Sequence, residues 1–165
     1  ALAREGVELV INARTKADLE ATAAEIAAKT GVKVTPIAVD VTTEAGRRQV
    51  LDACPEPDII VNNAGGPPPG DFRDWTRDDW IKAVDANMLT PIELIKATLD
   101  GMIARRFGRV VNITNVAAKQ PGGASGPTSI SRAAGLALTK MLSKEFAAQN
   151  VLVNTVVIGK IKNRF

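Results

Sequence analysis

Residues 125–140, SGPTSISRAAGLALTK, gather Thr128, Ser129, Ser131 and Arg132 at the start of an apolar helical stretch. Proton transfer near neutral pH usually falls to His, Glu, Asp, Lys, Tyr or Cys, and the chain contains neither tyrosine nor histidine. An aliphatic hydroxyl titrates far above neutrality and a guanidinium keeps its proton. This helix start therefore offers hydrogen bonds and a fixed positive charge, not a general acid. Thr128, following Pro127, also has the residue type of a helix N-cap.

The elements that must hold these residues follow from composition and pattern. With 165 residues, 45% of them hydrophobic and 24% charged, the chain is expected to form one domain, 1–165, with a real core. The single cysteine, Cys54, excludes an intrachain disulfide, and without histidine no thiolate–imidazole zinc site can assemble. No metal is expected, and the setting implied is reducing and cytoplasmic. No apolar run approaches the roughly 18 residues of a membrane span, and ALAREG lacks the basic start and apolar centre of a signal peptide. The net charge of +3 raises nucleic acid as a partner. The basic residues are scattered, however: Arg47 with Arg48, and Arg105, Arg106 and Arg109, sit near expected helix ends, where the helix dipole favours cations. A solvated surface and no nucleic-acid partner are expected.

Five nearly continuous apolar runs read as strands: 7–12, 32–41, 58–65, 109–115 and 151–159. Strands apolar on both faces suit a parallel sheet covered by helices. The helical stretches between them are KADLEATAAEIAAKTG, with Leu19, Ala23 and Ile26 on one stripe, then TTEAGRRQVLDA, the segment from Thr76 to Phe107, and SISRAAGLALTKMLSKEFAAQN. Thr76 with Asp79 reads as a capping signal, Gly31 and Gly108 as stops, and Pro91 as a kink in the long helix. This alternation predicts an α/β fold with a doubly wound parallel sheet in three layers, α/β/α, whose ligand crevice lies beyond the carboxyl ends of the strands.

The loops at those ends carry NNAG (62–65), VDV (39–41) and NIT (112–114), with Asn87 inside DANMLT on the long helix. Together these pieces resemble the short-chain dehydrogenase/reductase family, over residues 1 to about 162. The resemblance implies a Rossmann-like fold, a nicotinamide cofactor and a small carbonyl or alcohol substrate. In that family an acidic residue ending the second strand selects NAD. Here Ala13 stands in its place, followed by Arg14 and, nearby, Lys16, which suit a ribose 2′-phosphate. NADP(H) is the cofactor implied. Asp40 and Val41 match the pair bordering the adenine; Asn63, Ala64 and Gly65 match the turn against the riboses; Gly159 matches the glycine after the sixth strand, where Ile158 replaces the family's proline.

The family's catalytic set carries over only in part. Asn87 fits the asparagine on the long helix, whereas Asn115 stands at the serine position, Thr128 at the tyrosine position and Arg132 at the lysine position. Asn115 offers an amide N–H to a substrate oxygen, and Arg132 a fork of donors for ribose hydroxyls and for the cofactor. Lys119, in KQPGG, is a candidate replacement acid if desolvation lowers its pKa, or else a plain loop lysine. The resemblance also implies a homodimer or homotetramer through the long helix and the helix rich in small residues at 133–137. It further implies about 20 to 30 residues upstream of Ala1 that carry a glycine-rich phosphate turn and a first strand, and a lid and final strand past IGKIK (158–162). Two functional readings stand side by side: an NADP(H)-linked oxidoreductase resembling 3-oxoacyl carrier-protein reductases with a weakened centre, and a nucleotide-binding sensor or structural subunit that keeps the fold without the chemistry.

Overall fold

The computed structural model describes residues 1–159. Two compact units are described, Ala1–Glu56 and the residues from Pro57 onward.

In the first unit a 3-10 turn, Leu2–Glu5, precedes β1 (Leu9–Ala13), α1 (Lys16–Thr30), β2 (Val34–Ala38) and α2 (Glu44–Ala53). β1 and β2 pair in parallel from Leu9↔Val34 to Ala13↔Ala38. Asn12 ties the pair together, its Nδ2 donating to the carbonyls of Ile37 (2.8 Å) and Val39 (3.0 Å). Leu19 and Ala23 are buried and Ile26 half-buried, so the expected α1 stripe is the packed one. Gly31 ends α1 at φ 74°, a left-handed conformation that favours glycine. At α2 the Thr43 hydroxyl accepts from Gly46 N, and a Cβ on Gly46 would lie 2.0 Å from the Asp40 carbonyl oxygen, so only glycine fits beneath that turn.

In the second unit β3 (Ile59–Asn62), β4 (Gly108–Asn115) and β5 (Val151–Ile158) form a parallel sheet in the order β3-β4-β5. The helices are α3 (Arg77–Val84), α4 (Thr90–Ala104) and α5 (Gly126–Glu145). The core joins Ile95 and Met102 of α4, Val110 of β4, Leu142 of α5, and Val151 and Val153 of β5. Burying a side chain of this size contributes about 1.5–3 kcal/mol. On β4 alternate residues are buried, and the buried face changes character along the strand: Val110 joins the apolar core, then come Asn112 and Thr114. Polarity thus concentrates toward the carboxyl end, where a ligand crevice belongs in this fold class.

Thr76 and Asp79 form the expected capping box at α3. One expectation is refined and one corrected. The long helix is interrupted by a π turn, Asp85–Leu89, in which Thr90 N–H bonds to Asp85 O. Pro91 has no N–H with which to reach Asn87 O four residues back, so the break in regular α bonding lies before the proline. Gly108 does not stop the helix: α4 ends at Ala104, Arg106 takes the left-handed conformation at φ 52°, and Gly108 opens β4. Its role is packing, since a Cβ there would lie 2.6–2.8 Å from Met102 side-chain atoms.

Candidate functional site

The carboxyl ends of β3 and β4, the π turn and the first half of α5 enclose a cavity of about 30 Å³. Its walls include Asn62, Ala64, Asn87, Asn112, Thr114 and Arg132. A space of this size holds one or two waters.

Arg132 is the only charged residue among these walls. Its Nη1 donates to Ile113 O at 3.1 Å and its Nη2 to Ala64 O at 2.7 Å, so the guanidinium bridges β4 to the loop after β3. Its Nε is buried and unpartnered among the described residues. Burial holds this guanidinium below the usual arginine range, because desolvation disfavours the charged form. Asn87 donates from Nδ2 to Gly65 O (3.2 Å) and Ala83 O (3.1 Å), fastening the π turn to the same loop. A Cβ on Gly135 would lie 3.6 Å from Asn87 O, an ordinary contact distance, so α5 packs beside the turn at this position. Arg132, Asn87, Ala64 and Gly65 therefore lie together at this end of the second unit.

Thr128 is placed differently. α5 begins at Gly126, so Thr128 is not the N-cap. Its hydroxyl donates to Pro67 O at 3.1 Å, and a Cβ on Gly66 would lie 2.3 Å from that hydroxyl. A threonine has one proton to donate, and here it ties the loop GGPPPG to the helix start. Thr128 is not among the cavity walls. Asn115 ends β4 with its Oδ1 buried and unpartnered among the described residues. Asn63 is exposed beside Ala64, Gly159 is exposed just after β5, and Lys119 is exposed at the end of the 3-10 turn Val116–Ala118.

A buried polar chain crosses the same unit. Asn62 Nδ2 donates to Asn112 Oδ1 (2.9 Å), Asn112 Nδ2 to Thr139 Oγ1 (2.9 Å), and Thr155 Oγ1 to Thr139 Oγ1 (2.8 Å). Sequence reasoning assigned Asn112, Thr139 and Thr155 no role. The available signal was a polar residue inside each of three apolar segments, and Asn62 and Asn112 are strand neighbours only by virtue of register.

In the first unit Arg14 and Lys16 flank the start of α1, where Thr15 makes no side-chain cap bond. Cations at a helix N-terminus are unfavourable without an anion, and the uncapped N–H groups add donors. Lys16 also pairs with Glu20 at 3.8 Å, an exposed contact of little energetic weight. Asp40, just beyond β2, accepts from the Thr42 hydroxyl (2.7 Å) and Thr42 N–H (2.9 Å). These bonds, with a smaller contribution from the Arg14 charge, hold its carboxyl below the ordinary aspartate range. Val41 is half-buried, and its carbonyl accepts from Arg47 Nη1 at 3.4 Å. Arg14, Lys16 and Asp40 thus lie in one unit, two cations beside an uncapped helix start and a carboxylate just beyond β2.

The short chain dehydrogenase family model matches residues 1–165. The chain belongs to the short-chain dehydrogenase family. It is similar to the oxidoreductase YvaG of Bacillus subtilis, 32% identical over 159 residues that make up 96% of this chain and 60% of that protein. It is similar also to the acetoacetyl-CoA reductase of Cupriavidus necator, 38% identical over 122 residues, 73% of this chain and 49% of that one. The solved structure of L-sorbose reductase from Gluconobacter frateurii with NADPH and L-sorbose superposes with TM-score 0.90 at 28% identity, over 99% of this chain and 64% of that one. The chain thus spans about half to two thirds of the length of these relatives. Its class is the Rossmann-like α/β/α fold of this family, and among the described residues no helix is long and apolar enough to cross a membrane.

Proposed function

We propose that this chain forms the dinucleotide-binding part of an NADP(H)-dependent oxidoreductase that interconverts a carbonyl and an alcohol, in the manner of 3-oxoacyl carrier-protein reductases, through a slow centre. Membership of an oxidoreductase family and the likeness to an acetoacetyl-CoA reductase support the reaction class. Arg14 and Lys16 beside the uncapped start of α1 support the 2′-phosphate form of the cofactor. Asp40 and Val41 would border the adenine, Asn63, Ala64 and Gly65 the riboses, and Gly159 the nicotinamide end. The bound dinucleotide supplies the hydride.

The observation that carries the reading of a slow centre is the bond from Thr128 to Pro67 O. The residue at the tyrosine position has its single proton engaged with the backbone, and Arg132 holds its own proton too tightly to give it up. Asn115 offers an amide donor to a substrate oxygen, which polarises it without protonating it. Missing a positioned acid costs on the order of 10²- to 10⁴-fold in rate. The same observation supports the second reading, a sensor or structural subunit that binds nucleotide without turnover.

One experiment separates the two. NADPH binding is followed by fluorescence, and turnover of a broad carbonyl panel is compared with that of the Lys119→Ala, Asn115→Ala double variant. Saturable binding with turnover clearly above the variant supports the oxidoreductase. Binding with equal rates gives the sensor, and no binding defeats both. For partners, we propose self-association through α5, whose Ile130, Ala133, Ala137 and Met141 form an exposed apolar stripe at helical spacing. Light scattering that shows a monomer, unchanged by Met141→Glu, removes that reading.

A further inference from the structure

The stretch between the turn at Ala64–Gly65 and α3 is pinned at both ends and lightly held between them. Asn87 fixes its base through Gly65 O, and the Thr76 capping box fixes where α3 begins. None of residues 66–75 is fully buried, and Pro67, Pro68 and Pro69 have no N–H to bond. Among the described residues this stretch is fastened to the start of α5 by the Thr128 hydroxyl donating to Pro67 O (3.1 Å), by Gly70 N–H donating to Ala124 O (3.1 Å), and by the Trp75 indole lying on Gly126. Segments with few buried contacts open locally while the rest of a protein stays folded.

Trp75 is seated where only glycine leaves room. A Cβ on Gly126 would fall 2.0–2.5 Å from Cζ3, Cη2 and Cε3 of its ring, so the indole lies flush on the first residue of α5. Trp80 of α3 backs it edge to face, with ring centroids 6.0 Å apart. At the near end a Cβ on Gly66 would meet the Thr128 hydroxyl at 2.3 Å, so Gly66 and Pro67 both lie on the side of Thr128 that carries its proton. Ala124, whose carbonyl receives Gly70 N–H, sits at φ 60°, a left-handed conformation unfavourable for a residue with a Cβ. That strain is of the same order as the net worth of the single hydrogen bond it supports. The fastened and released forms therefore lie close in free energy.

We propose that residues 66–75 form a strap, latched by Trp75 on Gly126, that opens as a unit and thereby releases the Thr128 hydroxyl from Pro67. The shut form is self-inhibited, because the strap's own backbone takes the one proton that the residue at the tyrosine position can donate. Once the strap lifts, that hydroxyl is free to donate to another oxygen. The opening is a property of the chain alone; only its use toward a substrate oxygen rests on the oxidoreductase reading.

Native-state hydrogen exchange of the intact chain in rising, sub-denaturing urea measures the opening. Thiol labelling of Thr128→Cys, made in a Cys54→Ser chain, measures access to position 128; the thiol keeps a weak donor toward Pro67 O. The Gly70 amide should exchange at a rate nearly independent of urea, as local opening does, whereas Val110 and Val153 exchange through global unfolding and depend on urea steeply. Trp75→Ala, which empties the seat on Gly126, and Gly126→Ala, which fills it, should each speed labelling at position 128 tenfold or more beyond any change in Val110 exchange. If a variant fails to fold, the urea dependence of the unaltered chain still decides. Two results overturn the proposal: Gly70 exchange that rises with urea as steeply as that of Val110, or labelling at position 128 that neither folded variant speeds beyond Val110 exchange. Absence of carbonyl turnover in every variant would defeat the oxidoreductase reading and leave the strap standing.

Discussion

Asn62 and Asn112 face each other across the parallel pair β3–β4, their side chains joined by a buried hydrogen bond of 2.9 Å from Nδ2 to Oδ1. The bond continues through Thr139 to Thr155, so one polar chain links β3, β4, α5 and β5 below the cavity. Buried polar groups of this kind stabilise only while every member is satisfied.

Replacing Asn112 by Leu leaves the Asn62 amide without its acceptor and Thr139 without one of its donors. Each orphaned buried group costs about 1–3 kcal/mol. Urea unfolding should show Asn112→Leu destabilised by several times the effect of Thr155→Val, which removes only the far end of the chain. Equal effects would refute the chain as a unit.

Gly108 is expected to tolerate no side chain. Alanine there meets Met102 Cβ and Cγ at 2.8 Å, and overpacking of this sort costs about 1–3 kcal/mol. In a double-mutant cycle the Gly108→Ala loss should be smaller in a Met102→Ala background than in the unaltered chain, because Sδ and Cγ are gone and only the Cβ contact remains.

The Thr128–Pro67 bond is tested with Thr128→Val and Thr128→Ser. Valine removes the donor and should cost about 0.5–1.5 kcal/mol and loosen the loop at 65–70, seen as faster amide exchange there; serine keeps the donor and should preserve protection. If valine leaves exchange unchanged, the threonine does not hold that loop.

Arg14→Ala should weaken NADPH binding by tenfold or more while leaving NADH binding nearly unchanged, since a hydrogen bond to a charged group contributes about 1.5–3 kcal/mol. Calorimetric titration of both cofactors measures the ratio. An equal loss for both would remove the 2′-phosphate reading.

The folded Asp40 carboxyl lies below the ordinary aspartate range, which fixes the sign of its pH effect. Its stabilising contribution is complete above the unfolded value of about 3.9 and is lost as pH falls through the lower folded value. The unfolding midpoint of the unaltered chain relative to Asp40→Asn should therefore be flat from about pH 5 to 8 and decline only below about pH 4. A change in their difference between pH 5 and 8 would contradict the Thr42 bonds.

The sequence by itself determined the element types and the family. Apolar runs, capping residues and Gly31 act locally, through steric and backbone hydrogen-bonding rules that need no tertiary context: each of the five expected runs contains most of one strand, with shorter strands than expected at β2 and β3, and the capping box of α3 is at Thr76 and Asp79. The tertiary structure decided what depends on residues far apart in the chain: that Gly108 accommodates Met102, that Thr128 binds Pro67 across 61 positions, that Arg132 bridges Ile113 and Ala64, and that Asn62 meets Asn112. Side-chain direction and strand register set those contacts, and neither is fixed by the residues next door.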